Sequence, residues 1–444
     1  MGEFAHRDPL RVMPDGTVKQ VNLLTGVEVW TVPGRADRPI SEPPASPVSL
    51  GHGEADRWCA FCPDRMADTT PEKARRVCTP NGWRTLYGVL PSQWHDTQAQ
   101  FRRIPNLFAI VNYSFWTRNY GYHPPQSVLA RCAQYCADPQ GRKHVESLLK
   151  IRKTASSPAE VDPARLSDAE LAQRAIGMFA SGHDVIVARR HFVDGATDSS
   201  QLAASGTLTP KEHSEYIGFT VRAMQELYEQ NHHVRYVAVF QNWLRQAGAS
   251  FDHLHKQLVS IDERSQETEQ ELVRLRANPN AYNDLALNVA IQQNLVIAEN
   301  SHAIAYAGFG HRFPTVEIVS KSPVCEPWLQ NAAEQEAMSA LVHACHAATG
   351  IGVPCNEEWH HRAPDVDLPM PWRINLKWRV STLAGFEGGT KIYLNTLDPW
   401  HVRDRLVPRL HALRDAGRLA TGLSIGEECP ARYNSLRYNP VLQH

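Results

Sequence analysis

The chain of 444 residues carries 46 Lys+Arg against 47 Asp+Glu, a net charge of −1. That balance argues against binding driven by a polyanionic backbone, because counterion release needs a cationic excess. Hydrophobic residues at 42% and charged residues at 21% exclude wholesale disorder and coiled coil, and the length suits two or three domains or one duplicated unit.

In chain order, residues 15–30 (DGTVKQVNLLTGVEVW) have the Gly turns and alternation of a hairpin. Residues 31–58, rich in Pro, Gly and Ser, form a loop, and Cys59 and Cys62 follow as Cys-Ala-Phe-Cys. WRTLYGVL and NLFAIVN read as short strands with RRIPN between them. Residues 126–150 form a helix with a Pro-Gly interruption, and 166–180 another, capped by Ser with Glu three residues on. HDVIVARRHF (183–192) is a strand. Thr209-Pro210 opens a long helix. VRYVAVFQNW (234–243) and ASFDHLHKQLVSID (249–262) are strands, followed by a helical connector.

The second half repeats this order. FPTVEIVSKSP (313–323) parallels HDVIVARRH, NAAEQEAMSALVHACHAATG parallels the long helix, and WRINLKWRV (372–380) parallels FDHLHKQLV. The chain therefore reads as an internal duplication, closed by an amphipathic helix over 400–416. Neither a signal-peptide core nor a run of ~20 apolar residues is found, so a soluble cytoplasmic protein with no nucleic-acid or membrane partner is expected. Nine cysteines, an odd number, argue against a disulfide framework. Cys132 and Cys136 on a helix, and His343, Cys345 and His346 on another, read as packing residues.

The chemistry concentrates in residues 247–257, AGASFDHLHKQ. In a strand His253, His255 and Gln257 project from one face, and one His can act as nucleophile or ligand while the amide donates to an oxyanion. Independently, Cys59 and Cys62 have zinc-knuckle spacing. With no second Cys-x-x-Cys, a tetrahedral site needs two more ligands, expected to be His.

Asn242, Ser250, His253, His255 and Gln257 resemble the active-site stretch of galactose-1-phosphate uridylyltransferases and their relatives in the histidine-triad superfamily. CAFCPDRMADTTPE (59–72) resembles that family's Cys-x-x-Cys-Pro and Thr-Pro-Glu segment, and STLAGFEGGTKIYLN (381–395) its Ala-Gly-Phe-Glu segment. The resemblance implies an α+β fold of duplicated histidine-triad-like domains, each a mainly antiparallel sheet with packed helices. The corresponding boundaries are an extension (1–54), a catalytic domain (55–265), a connector (266–293), a second domain without a nucleophile (294–405) and a tail (406–444).

It implies His255 as nucleophile, with Gln257 and Ser250 on the transferred phosphoryl group, Asn242, Asn106 and Arg103 on the nucleotide, and Phe386 and Glu387 on the sugar. It also implies a structural Zn²⁺ held by Cys59, Cys62, His191 and His253, with His183 competing for the place of His191. The implied activity is nucleotidyl transfer, of UMP, between a nucleotide sugar and a sugar 1-phosphate through a nucleotidyl-histidine, in a homodimer. Alternatives are a phosphorylase that uses inorganic phosphate on a nucleoside-diphosphate sugar or dinucleoside polyphosphate, and a non-catalytic zinc-stabilised nucleotide-binding protein. Two departures bear on substrate: Leu254 stands where uridylyltransferases have Pro, and Ser381 where the family has a sugar-phosphate Lys. In the second half, Asn375 and Lys377 replace His253 and His255, so that copy is expected to be silent.

Overall fold

Apolar runs that alternate or stay continuous over four to eight residues become strands, and sixteen of them form two sheets among the described residues. The computed structural model describes residues 8–34, 46–153, 162–379, 381 and 383–442. The strands are β1 (Leu10–Val12), β2 (Val18–Val21), β3 (Glu28–Thr31), β4 (Ala74–Thr79), β5 (Gly82–Tyr87), β6 (Ala99–Pro105), β7 (His183–Ala188) and β8 (Tyr236–Trp243). They continue as β9 (His255–Ile261), β10 (Val296–Glu299), β11 (Ala303–Gly308), β12 (Thr315–Ser320), β13 (Cys355–His360), β14 (Arg373–Trp378), β15 (Ile392–Asn395) and β16 (Ser424–Ile425).

Twelve strands make one sheet, in the order β16-β10-β11-β12-β14-β13-β8-β9-β7-β6-β4-β5. The order is symmetric about the β8–β13 junction: β8, β9 and β7 on one side answer β13, β14 and β12 on the other. The repeated order of the sequence is thus a pseudo-two-fold in space. Helices α1 (Tyr113–Tyr120), α2 (Gln126–Ala137), α3 (Pro139–Lys153), α4 (Asp168–Ala175) and α5 (Pro210–Gln230) belong to the first half. α6 (Gln266–Ala277) and α7 (Asn288–Gln292) connect the halves, and α8 (Ala332–Thr349), α9 (Gly385–Thr390) and α10 (Pro399–Asp415) follow. The paired long helices α5 and α8 meet over one face of the sheet, where His213 Nδ1 lies 2.7 Å from Ser339 Oγ.

That face also holds the bond between the halves. Lys256 of β9 and Glu357 of β13 are fully buried and pair at 2.6 Å, with His346 of α8 on the second carboxylate oxygen at 2.8 Å. A buried pair is favourable only when its remaining bonding capacity is filled, and Gln241 Oε1 fills one place on Lys256 at 3.1 Å.

The capping signals form as read: Ser167 with Glu170 opens α4, and Thr209 with Glu212 opens α5. Asp138-Pro139 divides the 126–150 helix into α2 and α3. The hairpin of residues 15–30 becomes β2 and β3, and β3 then pairs in parallel with β15, more than 350 residues away in sequence. Two strand expectations change. NLFAIVN is a turn leading into α1, because Asn106 Oδ1 accepts the Phe108 N–H (2.9 Å) and Asn112 caps the helix. The strand expected from 249 starts only at His255; residues 244–254 are a loop. The loop over 31–58 includes residues 35–45, which lie outside the described residues, as do Val380 and Thr382 of two quoted motifs. No helix among the described residues is long and apolar enough to cross a membrane.

Candidate active site and metal cluster

Register decides which side chains share the site face. In antiparallel pairing, directly opposed residues point to the same side. Val187 opposes His255, Val185 opposes Gln257, and His183 opposes Val259. His255, Gln257 and His183 therefore share the face turned away from α5, and Lys256 and Asp184 point to the helical core.

The Cys-Ala-Phe-Cys turn lies on the site face. Cys62 N–H donates to the Cys59 carbonyl (3.0 Å), and Cys59 N–H lies 3.4 Å from Cys62 Sγ, an amide–sulfur contact that favours thiolate. Phe61 packs with Ile104, Val185 and Val187, and its ring centroid is 5.1 Å from that of His255. Cys59, Cys62, His191 and His253 are all buried, and their ligand atoms lie within 4.8 Å of one another. Sγ to Sγ is 3.8 Å; Cys59 to His253 Nδ1 is 3.6 Å, Cys62 to His191 Nδ1 3.5 Å, and Cys62 to His253 Nδ1 3.7 Å. Ligands at about 2.3 Å (S) and about 2.0 Å (N) from a tetrahedral centre stand about 3.5–3.8 Å apart. The donor set fits a tetrahedral metal ion. Cys59 and the two imidazoles beside Cys62 pull its thiol down toward the thiolate, the form that binds metal. His253 presents Nδ1 to the cluster and donates from Nε2 to the Ala188 carbonyl at 2.6 Å, the outer-shell bond that fixes a ligating imidazole.

His255 hangs from the same backbone. Its Nδ1 donates to the His253 carbonyl at 2.7 Å, which fixes the tautomer and leaves the Nε2 lone pair open. Burial pushes its pKa down to about 4, so the ring is neutral and nucleophilic at neutral pH. Gln257, two residues on, is held by His183. Because Ile110 N–H donates to His183 Nδ1 (3.1 Å), the proton of the buried, neutral ring resides on Nε2 and donates to Gln257 Oε1 at 3.0 Å. That leaves the Gln257 amide nitrogen as a donor with no partner among the described residues. Asn106 Nδ2 stands 3.2 Å from the same His183 Nε2. His183 is thus part of the Gln257 side of the site, and His191 is the one at the metal cluster. No local signal separates the two, since positions 183 and 191 share parity; the register of β7 against β9 sets His183 beside Gln257.

The remaining candidates divide. Asn242 Oδ1 accepts from Asn356 Nδ2 (2.7 Å) and its Nδ2 reaches the Gly248 carbonyl (3.4 Å), bracing the 244–250 loop. Leu244 has φ 66° there, a strained conformation for a branched residue. Ser250 is exposed on that loop. Asn106 lines a cavity of about 410 Å³ with Thr70, Phe108, Tyr113 and Ser181. Arg103 is not brought to the site: it points to the core face, buried, between Asp184 (2.7 Å) and Glu226. Phe386 and Glu387 lie on α9 beside the small sheet, with Phe386 against Trp30 at 6.3 Å and Glu387 bonded to its own Ala384 N–H.

Residues 13–438 match a family described as a domain of unknown function (DUF4921). No curated protein matches the chain. Among solved structures, an ADP-glucose phosphorylase from Arabidopsis thaliana with bound ADP-glucose superposes with a TM-score of 0.58 at 18% identity, over 88% of this chain and 97% of that one. A GalT-like protein, also from Arabidopsis thaliana, gives 0.52 at 18% identity, over 78% and 91%. The α+β fold is therefore that of the galactose-1-phosphate uridylyltransferase-like proteins.

Proposed function

The chain belongs to the DUF4921 family, and from its site we propose that it transfers a nucleoside monophosphate from a nucleoside-diphosphate sugar through a covalent nucleotidyl-His255. The observation that carries this reading is a buried, neutral His255 whose Nδ1 is committed to the His253 carbonyl. Its Nε2 attacks the α-phosphorus, the bond to the leaving phosphate oxygen breaks, and the sugar 1-phosphate departs. An acceptor phosphate oxygen then displaces His255 and restores the imidazole. Gln257 Nε2, oriented by His183, and Ser250 donate to the non-bridging oxygens, whose charge grows in the transition state. Asn242 holds the loop that carries Ser250.

Asn106 and the 410 Å³ cavity it lines have the size for a nucleoside; Arg103 instead supports the sheet from behind. Zinc fits the Cys2His2 set as a structural ion with no open position, anchoring the backbone on which His255 rides. Phe386 and Glu387 fall to the sugar of a partner subunit's site in a homodimer, and thiolate ligands suit the reducing cytoplasm.

A second reading changes the acceptor to inorganic phosphate and the donor to an ADP-sugar. Ser381, where the family has a sugar-phosphate Lys, favours it, as does the likeness to a structure holding ADP-glucose. The test is intact-mass measurement after incubation with UDP-glucose or ADP-glucose. A gain of one UMP or AMP on the wild type, absent in His255→Ala, is expected and identifies the base. Discharge by inorganic phosphate or by a sugar 1-phosphate then identifies the acceptor. No adduct from any nucleotide sugar would leave a zinc-stabilised nucleotide-binding protein and refute the enzyme.

A further inference from the structure

The pseudo-two-fold carries the site face of the first half onto a second cavity, of about 350 Å³, lined by residues of β13, β14 and the segment before β12. The axis passes between Asn242 and Asn356, which oppose one another in register and share a hydrogen bond of 2.7 Å. Gln257 opposes Phe240, two residues before Asn242; Arg379 N–H bonds to Pro354, two residues before Asn356. Arg379 is therefore the counterpart of Gln257, and Lys377 of His255. The second half has lost a nucleophile and gained two cations.

The charges of this cavity are unevenly matched. Lys377 is neutralised by Glu358 at 2.6 Å, and Arg373 by both oxygens of Glu271 at 2.7 Å. No carboxylate among the described residues forms an ion pair with Arg312 or Arg379. Both guanidiniums lie over Phe313, at 5.2 and 4.6 Å, and Arg312 also lies 5.6 Å from Tyr393. Burial, and after it the like charge of Arg312, holds the Arg379 guanidinium below its usual pKa. Arg379 spends one bond on the neutral Asn356 Oδ1 at 2.8 Å, while its Nε is buried without a partner. Arg373 Nε and Asn375 Oδ1, also in the lining, are buried and unpartnered as well. Orphaned buried polar atoms are costly unless something fills their place, and a paired guanidinium fork matches phosphate oxygens.

We propose that this second cavity is a non-catalytic binding site for a small phosphate ester, with the phosphate on Arg312 and Arg379. The carboxylates of Glu267 and Glu358 at the Lys377 end accept from hydroxyls of the ester, so a sugar phosphate is the class that fits. Lys377, paired to Glu358, gives no open nucleophile, so the ligand is held and not turned over. The inference goes beyond the chemistry at His255 and does not depend on it.

The test counts equivalents of radiolabelled glucose 1-phosphate by equilibrium dialysis on the full chain. The wild type is expected to bind one equivalent more than Arg312→Gln/Arg379→Gln, whatever the first site holds. Excess inorganic phosphate should displace the second equivalent, and methyl glucoside should not. Arg312→Gln alone, at an exposed position, weakens the second equivalent with no demand on folding. Nucleotidyl labelling of His255, followed in parallel, stays unchanged in these variants. Equal binding by the wild type and the double variant, or lost labelling in the variants, would overturn the proposal. Absence of labelling in the wild type would instead count against the reading of His255 and leave the second site standing.

Discussion

Replacing His183 by Phe tests whether Gln257 acts as an oriented donor. His183 Nε2 fixes Gln257 Oε1 at 3.0 Å, so its loss frees the amide to rotate and to turn its oxygen toward the phosphoryl group half of the time. A well-aligned hydrogen bond contributes about 0.5–1.5 kcal/mol, which at about 1.4 kcal/mol per decade is a ~2- to 12-fold slower chemical step. Removing the donor altogether, in Gln257→Ala, deletes an interaction of the oxyanion-hole kind and costs about 10²- to 10³-fold. Because His183 works through Gln257, the double variant should be no slower than Gln257→Ala alone, a coupling a double-mutant cycle reads directly. The assay is the single-turnover rate of nucleotidyl-protein formation at saturating nucleotide sugar, with near-ultraviolet circular dichroism to check packing. If the two factors multiply in the double variant, His183 does not act through Gln257 and the tautomer argument fails.

Cys62→Ser, at a fully buried ligand, should reduce bound zinc from about one per chain to a small fraction and destabilise the protein by several kcal/mol; elemental analysis with thermal unfolding measures both, and a stable variant retaining its zinc would contradict the ligand set. Stability should also fall as the pH drops from about 6.5 toward 4. Burial lowers the pKa of His343 to about 4 and of His361 to about 3, whereas an unfolded His titrates near ~6.5. The unfolded state thus binds more protons in that window, so the contribution of the neutral rings is complete above pH ~6.5 and shrinks on acidification. His343 alone accounts for about 3 kcal/mol, and His343→Gln should flatten the pH dependence of Tm; a wild-type Tm independent of pH between 7.5 and 5 would sink this.

What could be read from the sequence was whatever spacing fixes. Cys-x-x-Cys closes a turn by itself, and strand parity puts His255 and Gln257 on one face, whereas His253 reaches the four-residue cluster from the loop before β9. The repeated strand–helix–strand order needed only hydrophobic patterning, and it reappears as the symmetric order of the twelve-stranded sheet. Arg103 shows the limit. Its neighbour Arg102 points to the site face and bonds the Phe61 carbonyl (3.0 Å), while Arg103 points to the core. Which of two adjacent arginines faces in is set by the register of β6 against β7, and that register is a long-range fact absent from local spacing. NLFAIVN failed for a related reason: its apolar content mimics a strand, but the Asn106 and Asn112 side chains capture backbone N–H groups and turn the chain.

The second half also bears on how the candidate metal cluster and His255 are tied together. His253 belongs through Nδ1 to the cluster that could hold a metal and is, through its carbonyl, the acceptor that sets the tautomer of His255. An ion bound at Nδ1 would hold the carbonyl that aims Nε2, and a slack cluster would let the acceptor drift by the fraction of an ångström that the proposed chemistry does not tolerate. A half in which the ligand position becomes Asn375 loses that anchor. A histidine two residues later would then meet an acceptor carbonyl without that anchor, and Lys377, held by Glu358, stands there instead. Arg379 in the place of Gln257 completes the change: an amide that must be oriented to donate gives way to a cation that donates in every orientation, which suits holding a phosphate and needs no transition state to stabilise.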